Sequence, residues 1–256
     1  MSKKKTDNNK QEPPRSLKNE NFYGFDLDED QRNFIENVWD DDSKIIFCNA
    51  KAGSGKTLCA LGVANMMYEY GMYDGIVYIM APVQERTLGF LPGSLEDKSV
   101  VYIEPLLNAM TSLDIAESMI KSEERHPETL KNGTAYIDAI THTFLRGCNL
   151  ENKVVIIDEA QNYYLDELKK TLTRIHDSCK CIVIGQVEQK DIIYNKERSG
   201  FQHYLKYFED IAKTDKRARV CHLTHNHRGW ISNTCDALYV DFDDDVHTKR
   251  LEWRNI

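Results

Sequence analysis

Hydrophobic positions along the chain alternate between helical spacing and short, continuously apolar runs. DEDQRNFIENVW, residues 28–39, places four apolar side chains on one face of a predicted helix. KIIFCNA then predicts a buried strand, and TLCALGVANMMYEYG has helical spacing with a glycine stop. The same alternation continues downstream, so the pattern predicts strands and helices in turn.

Four further apolar runs predict four more strands: GIVYIMAPV, KVVIIDEA, CKCIVIGQ and RVCHLTH. Between them lie the helical patterns YLDELKKTLTRIH and FQHYLKYFEDIAK. Strands that are apolar on both faces and alternate with helices are typical of a parallel sheet covered on both sides. We therefore predict an α/β fold with a mostly parallel sheet and helices on both faces.

The chain divides into a polar tail and one domain. Residues 1–21 are rich in Lys, Asn, Glu and Pro and have no apolar period, so we expect a disordered tail there. Residues 22–256 are predicted to form a single domain with its core at about 27–235, and no internal repeat is evident.

Composition points to a cytoplasmic protein. In the 256 residues no apolar run reaches the roughly 18 residues of a membrane helix, and the lysine-rich start lacks the apolar stretch of a signal peptide. The seven cysteines are scattered through helix and strand patterns, which fits reduced thiols better than disulfides. A formal net charge of −8 argues against a generally basic nucleic-acid-binding surface, although a local basic groove is compatible with it.

AKAGSGKT fits the phosphate-binding pattern G-x-x-x-x-G-K-[ST], except that an alanine replaces its first glycine. Glycines let backbone N–H groups wrap phosphate oxygens, and a helix start points its positive end at them. The lysine is expected to reach the β and γ phosphates of ATP and the threonine to bind Mg²⁺. The alternative, a glycine turn without a ligand, is disfavoured by the strand before it and the helix after it. The predicted nucleotide-binding residues here are Ala50, Lys51, Ala52, Gly53, Ser54, Gly55, Lys56 and Thr57.

Two adjacent carboxylates follow the apolar run of VVIIDEAQN. Asp158 is expected to hold Mg²⁺, and Glu159 to orient or deprotonate the attacking water, because parallel sheets bind ligands at the carboxyl ends of their strands. Alone, such a pair is equally consistent with an ordinary strand end. Next to a phosphate loop it predicts triphosphate hydrolysis.

Several glutamines are further candidates. Gln161, and less strongly Gln186 and Gln189, are placed to sense a γ-phosphate by hydrogen bonding. Gln31, in the helix before the loop, is a candidate for reading the adenine edge. For each of them a surface position is the alternative.

These motifs, in their order, resemble the PhoH-like family of P-loop ATPases. The matching segments, NAKAGSGKT, LGFLPGSLEDK, IEPLLNAM, FLRG and VVIIDEAQN, lie within about residues 27–235. The resemblance implies a RecA-like core, ATP binding and hydrolysis, oligomeric rings (a hexamer among them), and a link to phosphate starvation and RNA metabolism. One departure is Gln186, where the family commonly has an acidic residue.

Arg228, in LTHNHRGWI, is a candidate for neutralising charge on the transferred phosphoryl group; a surface arginine is the alternative. About 30 residues follow the last predicted strand, so no second lobe is expected, and we expect a neighbouring subunit of a homo-oligomer to supply this arginine. The nearby Cys221, His222, His225 and His227 do not predict zinc, because neighbours on a strand face opposite ways.

Three functions share this loop: a Mg²⁺-dependent ATPase acting on or regulated by single-stranded RNA or DNA, a small-molecule kinase, and a nucleotide-dependent switch with little turnover. DEAQ favours the first, since a glutamate poised for water suits hydrolysis. The basic run KRAR, residues 216–219, is more typical of a solvated turn than of a nucleic-acid contact.

Overall fold

Six strands form one sheet in this computed structural model, which describes residues 12–80, 95–141, 150–187 and 199–236. The strands are β1 (Ile45–Ala50), β2 (Ile76–Met80), β3 (Ile137–Thr141), β4 (Val154–Asp158), β5 (Lys180–Gly185) and β6 (Ala218–Leu223). Their order is β3-β2-β4-β5-β1-β6, and every pairing is parallel. The strand that leads into the phosphate loop, β1, is thus separated by β5 from the strand that ends in Asp158. This is the arrangement of a RecA-like core, and the predicted fold class is confirmed.

Helices cover both faces of the sheet. They are α1 (Glu29–Trp39), α2 (Lys56–Glu69), α3 (Leu95–Ser112), α4 (Pro127–Lys131), α5 (Leu165–Leu172), α6 (Gly200–Ala212) and α7 (Trp230–Asp236), with 3₁₀ turns at Glu117–Met119 and Ala160–Asn162. One apolar core packs α1, α2 and α3 against the sheet, and the other packs α5 and α6 against its opposite face. The central strands are apolar over most of their length because both of their faces are buried.

Local signals account for where α1 and α2 lie. Asp28 caps α1 in a capping box with Gln31, in which each side chain bonds the other's backbone N–H. Helix α2 is apolar on most sides because it lies between the sheet, α1 and α3. Its Gly62 allows close packing, since a Cβ there would lie 2.4 Å from Cζ of Phe22.

The sequence pattern did not predict β3 or α3. Strand β3 is an edge strand in which only Ile137 is fully buried, so its sequence, IDAIT, lacks a continuous apolar run. Helix α3 contains Pro105, which obscures a helical pattern because proline usually ends a helix. The predicted continuation of β2 beyond Met80 lies outside the described residues.

Part of the segment expected to be a disordered tail packs against α1 in the structure, while the division into tail and domain stays a prediction. Leu17 is 1% exposed and belongs to the α1–α2 core. The Trp39 indole N–H donates to the Pro14 carbonyl at 2.8 Å, and the Ser16 hydroxyl donates to Glu36 at 2.9 Å. The segment from residue 14 onward is therefore packed on α1, because a buried leucine anchors an otherwise polar stretch.

In the described ranges, no helix combines the length and apolar character needed to cross a bilayer. The six cysteines in these ranges are free, and five of them are buried.

Leu17→Ala tests the packing of the early segment. Removing this buried side chain leaves a cavity, so we expect the free energy of unfolding to fall by about 2–5 kcal/mol. The neighbouring exposed Lys18→Ala is the control and is expected to change it by less than about 0.5 kcal/mol. Urea denaturation measures both, and equal stabilities of the two variants would show that the segment is not packed in solution.

Candidate nucleotide-binding site

The phosphate loop lies where the carboxyl ends of β1, β4, β5 and β6 meet. Gly53 and Gly55 have φ values of 74° and 76°, in the left-handed region that favours glycine. Gly55 is the N-cap of α2, so the 14-residue helix begins at Lys56 and directs its first N–H groups toward the loop. The arrangement is that of an anion-binding helix start.

Gln31 braces this loop from α1. Its side-chain Nε2 donates to the Ser54 carbonyl at 2.9 Å, and its Oε1 accepts from the Asp28 backbone at 3.0 Å. A Cβ on Gly55 would lie 2.9 Å from the Gln31 amide nitrogen. Gln31 therefore supports the loop backbone, a role that the sequence did not predict; reading of the adenine edge stays a prediction.

Asp158 lies at the centre of the polar cluster and is fully buried. Its Oδ2 accepts hydrogen bonds from Thr57 Oγ1 at 2.7 Å and from the Tyr78 hydroxyl at 2.6 Å. Burial and the neighbouring Glu159 raise the pKa of Asp158, whereas Lys56 and the two hydroxyl donors oppose the rise. The structure thus brings together the two predicted magnesium ligands, Thr57 and Asp158.

Tyr78 was not among the predicted site residues. Its only sequence signal is a hydroxyl in the otherwise apolar strand IVYIM.

Glu159 is held by two other predicted site residues, Lys56 and Gln161. Its Oε1 lies 3.0 Å from Lys56 Nζ, and its Oε2 accepts from Gln161 Nε2. Burial disfavours the charge on Lys56, but the carboxylates of Asp158 and Glu159 outweigh it and raise the pKa of the lysine. Glu159 has φ 49° and ψ 41°, a left-handed conformation that is unusual for a residue other than glycine and is often found at functional sites.

Gln161 connects the ends of β4 and β5. Its Oε1 accepts from the Gln186 backbone N–H at 3.0 Å while its Nε2 contacts Glu159. Gln186 itself is buried, and within the described part of the chain its Oε1 and the Ser54 hydroxyl lack hydrogen-bond partners. Buried polar atoms usually have partners, so these two favour a ligand or ordered water at this edge of the sheet.

The segment after β6 closes over the phosphate loop of the same chain. The His227 backbone N–H donates to the Gly53 carbonyl at 2.9 Å. A Cβ on Gly53 would lie 2.4 Å from Oδ1 of Asn226 and 2.8 Å from Cγ of Arg228. The aliphatic stem of Arg228 therefore packs on the phosphate loop of its own chain. That its guanidinium serves a neighbouring subunit stays a prediction.

Side chains from α1 hold this segment in place. Asp30 Oδ2 accepts from the Thr224 hydroxyl at 2.6 Å, and Asp28 Oδ2 lies 2.9 Å from His227 Nε2. Among the described residues, no three His, Cys, Asp or Glu side chains form a group that could hold a metal ion. His227 pairs with Asp28, the N-cap of α1, and His225 lies 3.7 Å from Asp30.

The basic run at residues 216–219 covers the turn before β6 and the first two residues of that strand, at the end of the strand away from the phosphate loop. Arg217 pairs with Asp215 and Arg219 with Asp40, both at 2.7 Å. Arg217 lies in the turn, as expected, whereas Arg219 is a half-buried residue of β6; both are engaged in ion pairs away from the phosphate loop.

Several predicted motif residues lie outside the described residues. They are Gln189, residues 89–93 of LGFLPG, and Arg146 and Gly147 of FLRG.

Comparison with known proteins identifies the family. The family described as PhoH-like protein matches residues 26–228. The chain belongs to this family. A PhoH-like protein of Synechocystis is 31% identical over 182 residues, which cover 71% of this chain and 52% of the relative. Protein PhoH of Escherichia coli is 29% identical over 168 residues, which cover 65% and 45%.

The chain spans about half the length of the curated relatives that it matches. Among solved structures, a Sulfolobus solfataricus SWI2/SNF2 ATPase core in complex with dsDNA aligns with a TM-score of 0.42 and 18% identity, covering 81% of this chain and 43% of that one. Family membership and the loop geometry together show a nucleotide-binding P-loop protein of the PhoH-like family.

Gly53→Ala tests the contact between the loop and the Arg228 segment. The new Cβ would be strained by the left-handed backbone and would overlap Asn226, so we expect nucleotide affinity to fall by about tenfold or more. Gly24→Ala is a matched control because it has a similar φ, 78°, with nothing within 4 Å of the new Cβ. Titration with a fluorescent adenine nucleotide measures the affinities; unchanged binding by Gly53→Ala would contradict the contact.

Proposed function

We propose that this PhoH-like protein is a Mg²⁺-dependent ATPase. The observation that carries the proposal is one connected polar cluster at the start of α2. In it Thr57 bonds Asp158 at 2.7 Å and Lys56 contacts Glu159 at 3.0 Å. Loop glycines, a lysine, a hydroxyl and two carboxylates are the groups that P-loop hydrolysis requires.

The residues fit a magnesium ion on chemical grounds. Thr57 and Asp158 present hard oxygen donors, the type that Mg²⁺ prefers, and they already lie within hydrogen-bond distance of each other. When bound, the ion would neutralise charge on the β and γ phosphates. Asp158 would hold it from the end of β4, and the Thr57 hydroxyl would do so from the first turn of α2.

Lys56 and Glu159 would separate when a triphosphate binds. Phosphate oxygens compete with the carboxylate for the ammonium group, since both are anions within reach of one lysine. Glu159 would then be free to accept a proton from water, while Gln161 would keep its carboxylate oriented. The triphosphate would thereby release the base that is needed to cleave it.

Arg228 would act on the phosphates of its own chain. Its side chain packs against Gly53, and its charge opposes the rise in the pKa of Lys56 that the two carboxylates cause, as expected for two neighbouring cations. A second cation at this loop would stabilise charge developing on the transferred group.

The family resemblance supports the remaining parts of the proposal. These are assembly as a homo-oligomeric ring and action on single-stranded RNA or DNA in processes linked to phosphate starvation. A cytoplasmic location is proposed from the composition of the sequence. Sedimentation of the purified protein tests the ring, and the ATPase rate with added single-stranded RNA or DNA tests the nucleic acid. Cell fractionation tests the location.

Glu159→Gln separates hydrolysis from binding. The amide keeps the shape of the side chain but cannot act as a base, so ATP turnover should fall by about 100-fold or more while Mg²⁺-ATP still binds. Lys56→Ala serves as the comparison, because loss of the lysine charge is expected to remove binding as well. Wild-type turnover by Glu159→Gln would contradict the proposed base and favour a nucleotide-dependent switch; transfer of phosphate to a small molecule instead of water would indicate a kinase.

Arg228→Ala tests action within one chain. ATP affinity should stay nearly intact while turnover falls by about 10³ or more. Mixing Arg228→Ala with Lys56→Ala chains should recover no activity, since neither chain then has a complete site. Recovery of turnover in the mixture, measured as phosphate release, would instead show that Arg228 serves a neighbouring subunit.

A further inference from the structure

Tyr78 is a second hydroxyl donor to the carboxylate of Asp158. Its hydroxyl donates to Oδ2 at 2.6 Å, and the same oxygen accepts from Thr57 at 2.7 Å. The other oxygen, Oδ1, accepts from the Glu159 backbone N–H at 2.7 Å. Three donors thus fix the orientation of a carboxylate that has no exposed surface.

The hydroxyl of Tyr78 has no packing role that phenylalanine could not fill. Strand β2 is buried along its whole length, and Tyr78 lies opposite Ile156 of β4. Ile156 and Asp158 share a face of the sheet, because side chains alternate along a strand. A phenol buried in such a strand is costly unless its hydroxyl is bonded, and Asp158 supplies the acceptor.

We propose that Tyr78 is a positioning residue that presents Asp158 to the bound magnesium ion, an inference that rests on the proposed function. A carboxylate oxygen accepts about two hydrogen bonds, and those of Oδ2 come from Tyr78 and Thr57. The acceptor position left open on the carboxylate therefore belongs to Oδ1. Groups that orient a metal-binding carboxylate in this way typically change metal affinity by about 10–100-fold when removed.

Tyr78→Phe tests this inference through binding, without relying on turnover. We expect the Mg²⁺ concentration that half-saturates the Mg²⁺-dependent increase in fluorescent-ATP binding to rise about tenfold or more, with binding in EDTA unchanged. Tyr136→Phe is the matched control: it removes another hydrogen-bonded hydroxyl of the same core, one that donates to Asn65. It should leave the Mg²⁺ dependence at the wild-type value.

The outcomes separate three explanations. An unchanged Mg²⁺ dependence in Tyr78→Phe overturns the inference alone. An equal loss of binding with and without Mg²⁺ also overturns it, because it shows a general structural role. If wild-type binding ignores Mg²⁺, the magnesium part of the proposed function fails together with the inference.

An isosteric probe covers the case in which Tyr78→Phe does not fold. 3-Fluorotyrosine incorporated at position 78 keeps the ring and the hydroxyl, so it should retain the wild-type Mg²⁺ dependence. Its ¹⁹F resonance is expected to shift when Mg²⁺ is added to the nucleotide-bound protein, whereas the same probe at position 136 should not shift. Absence of a shift at position 78 would overturn the inference.

Discussion

The rest of this structure depends on one constraint, the buried carboxylate of Asp158 at the carboxyl end of the central strand β4. Desolvation disfavours the charged form of Asp158, so the fold must supply donors to a group that water cannot reach. They come from three separate parts of the chain: Thr57 at the start of α2, Tyr78 on β2 and the backbone of Glu159. The parallel strands bring these parts together at the carboxyl ends of the sheet, so the strand arrangement that buries Asp158 also supplies its hydrogen-bond donors.

The phosphate loop is also held by distant parts of the chain. Gln31 of α1 contacts the loop from one side, and the segment after β6 contacts Gly53 from the other. These two supports are joined to each other, because Asp28 and Asp30 at the start of α1 bond residues 224–227. The packing of residues 14–22 on α1 and α2 extends the same unit toward the amino end. A substitution in α1 that shifts Gln31 or Asp30 would therefore be expected to displace the phosphate loop, although neither side chain need contact a phosphate.

The sequence was informative wherever one interaction dominates. Apolar runs predicted the five other strands: β1, β2, β4 and β5 lie inside the sheet with both faces covered, and the edge strand β6 still buries Ala218, Cys221 and Leu223. The glycine loop with its lysine predicted the start of α2. It was uninformative where tertiary contacts decide. Edge strand β3 is only partly buried, and Leu17 is a single apolar residue in a polar stretch. Tyr78 is recognisable as a site residue only from its hydrogen bond to Asp158, which the sequence does not reveal. The path of the chain after β6, which brings Arg228 against the phosphate loop of its own chain, is likewise not encoded in composition or periodicity.

The contact between Lys56 and Glu159 is part of a compact cluster of opposite charges at the phosphate loop. A lysine beside two carboxylates and an arginine beside that lysine form a cluster whose charges nearly balance before any phosphate is present. A bound triphosphate would add negative charge to this cluster. Lys56 is the side chain best able to move toward that charge, because three donors fix Asp158 and Gln161 holds Glu159. Movement of the lysine toward phosphate would leave Glu159 bonded to Gln161, whose other amide atom is held by the start of the β5–α6 connection. In the proposed ATPase, a bound γ-phosphate would thereby be coupled to the end of β5 through Gln161.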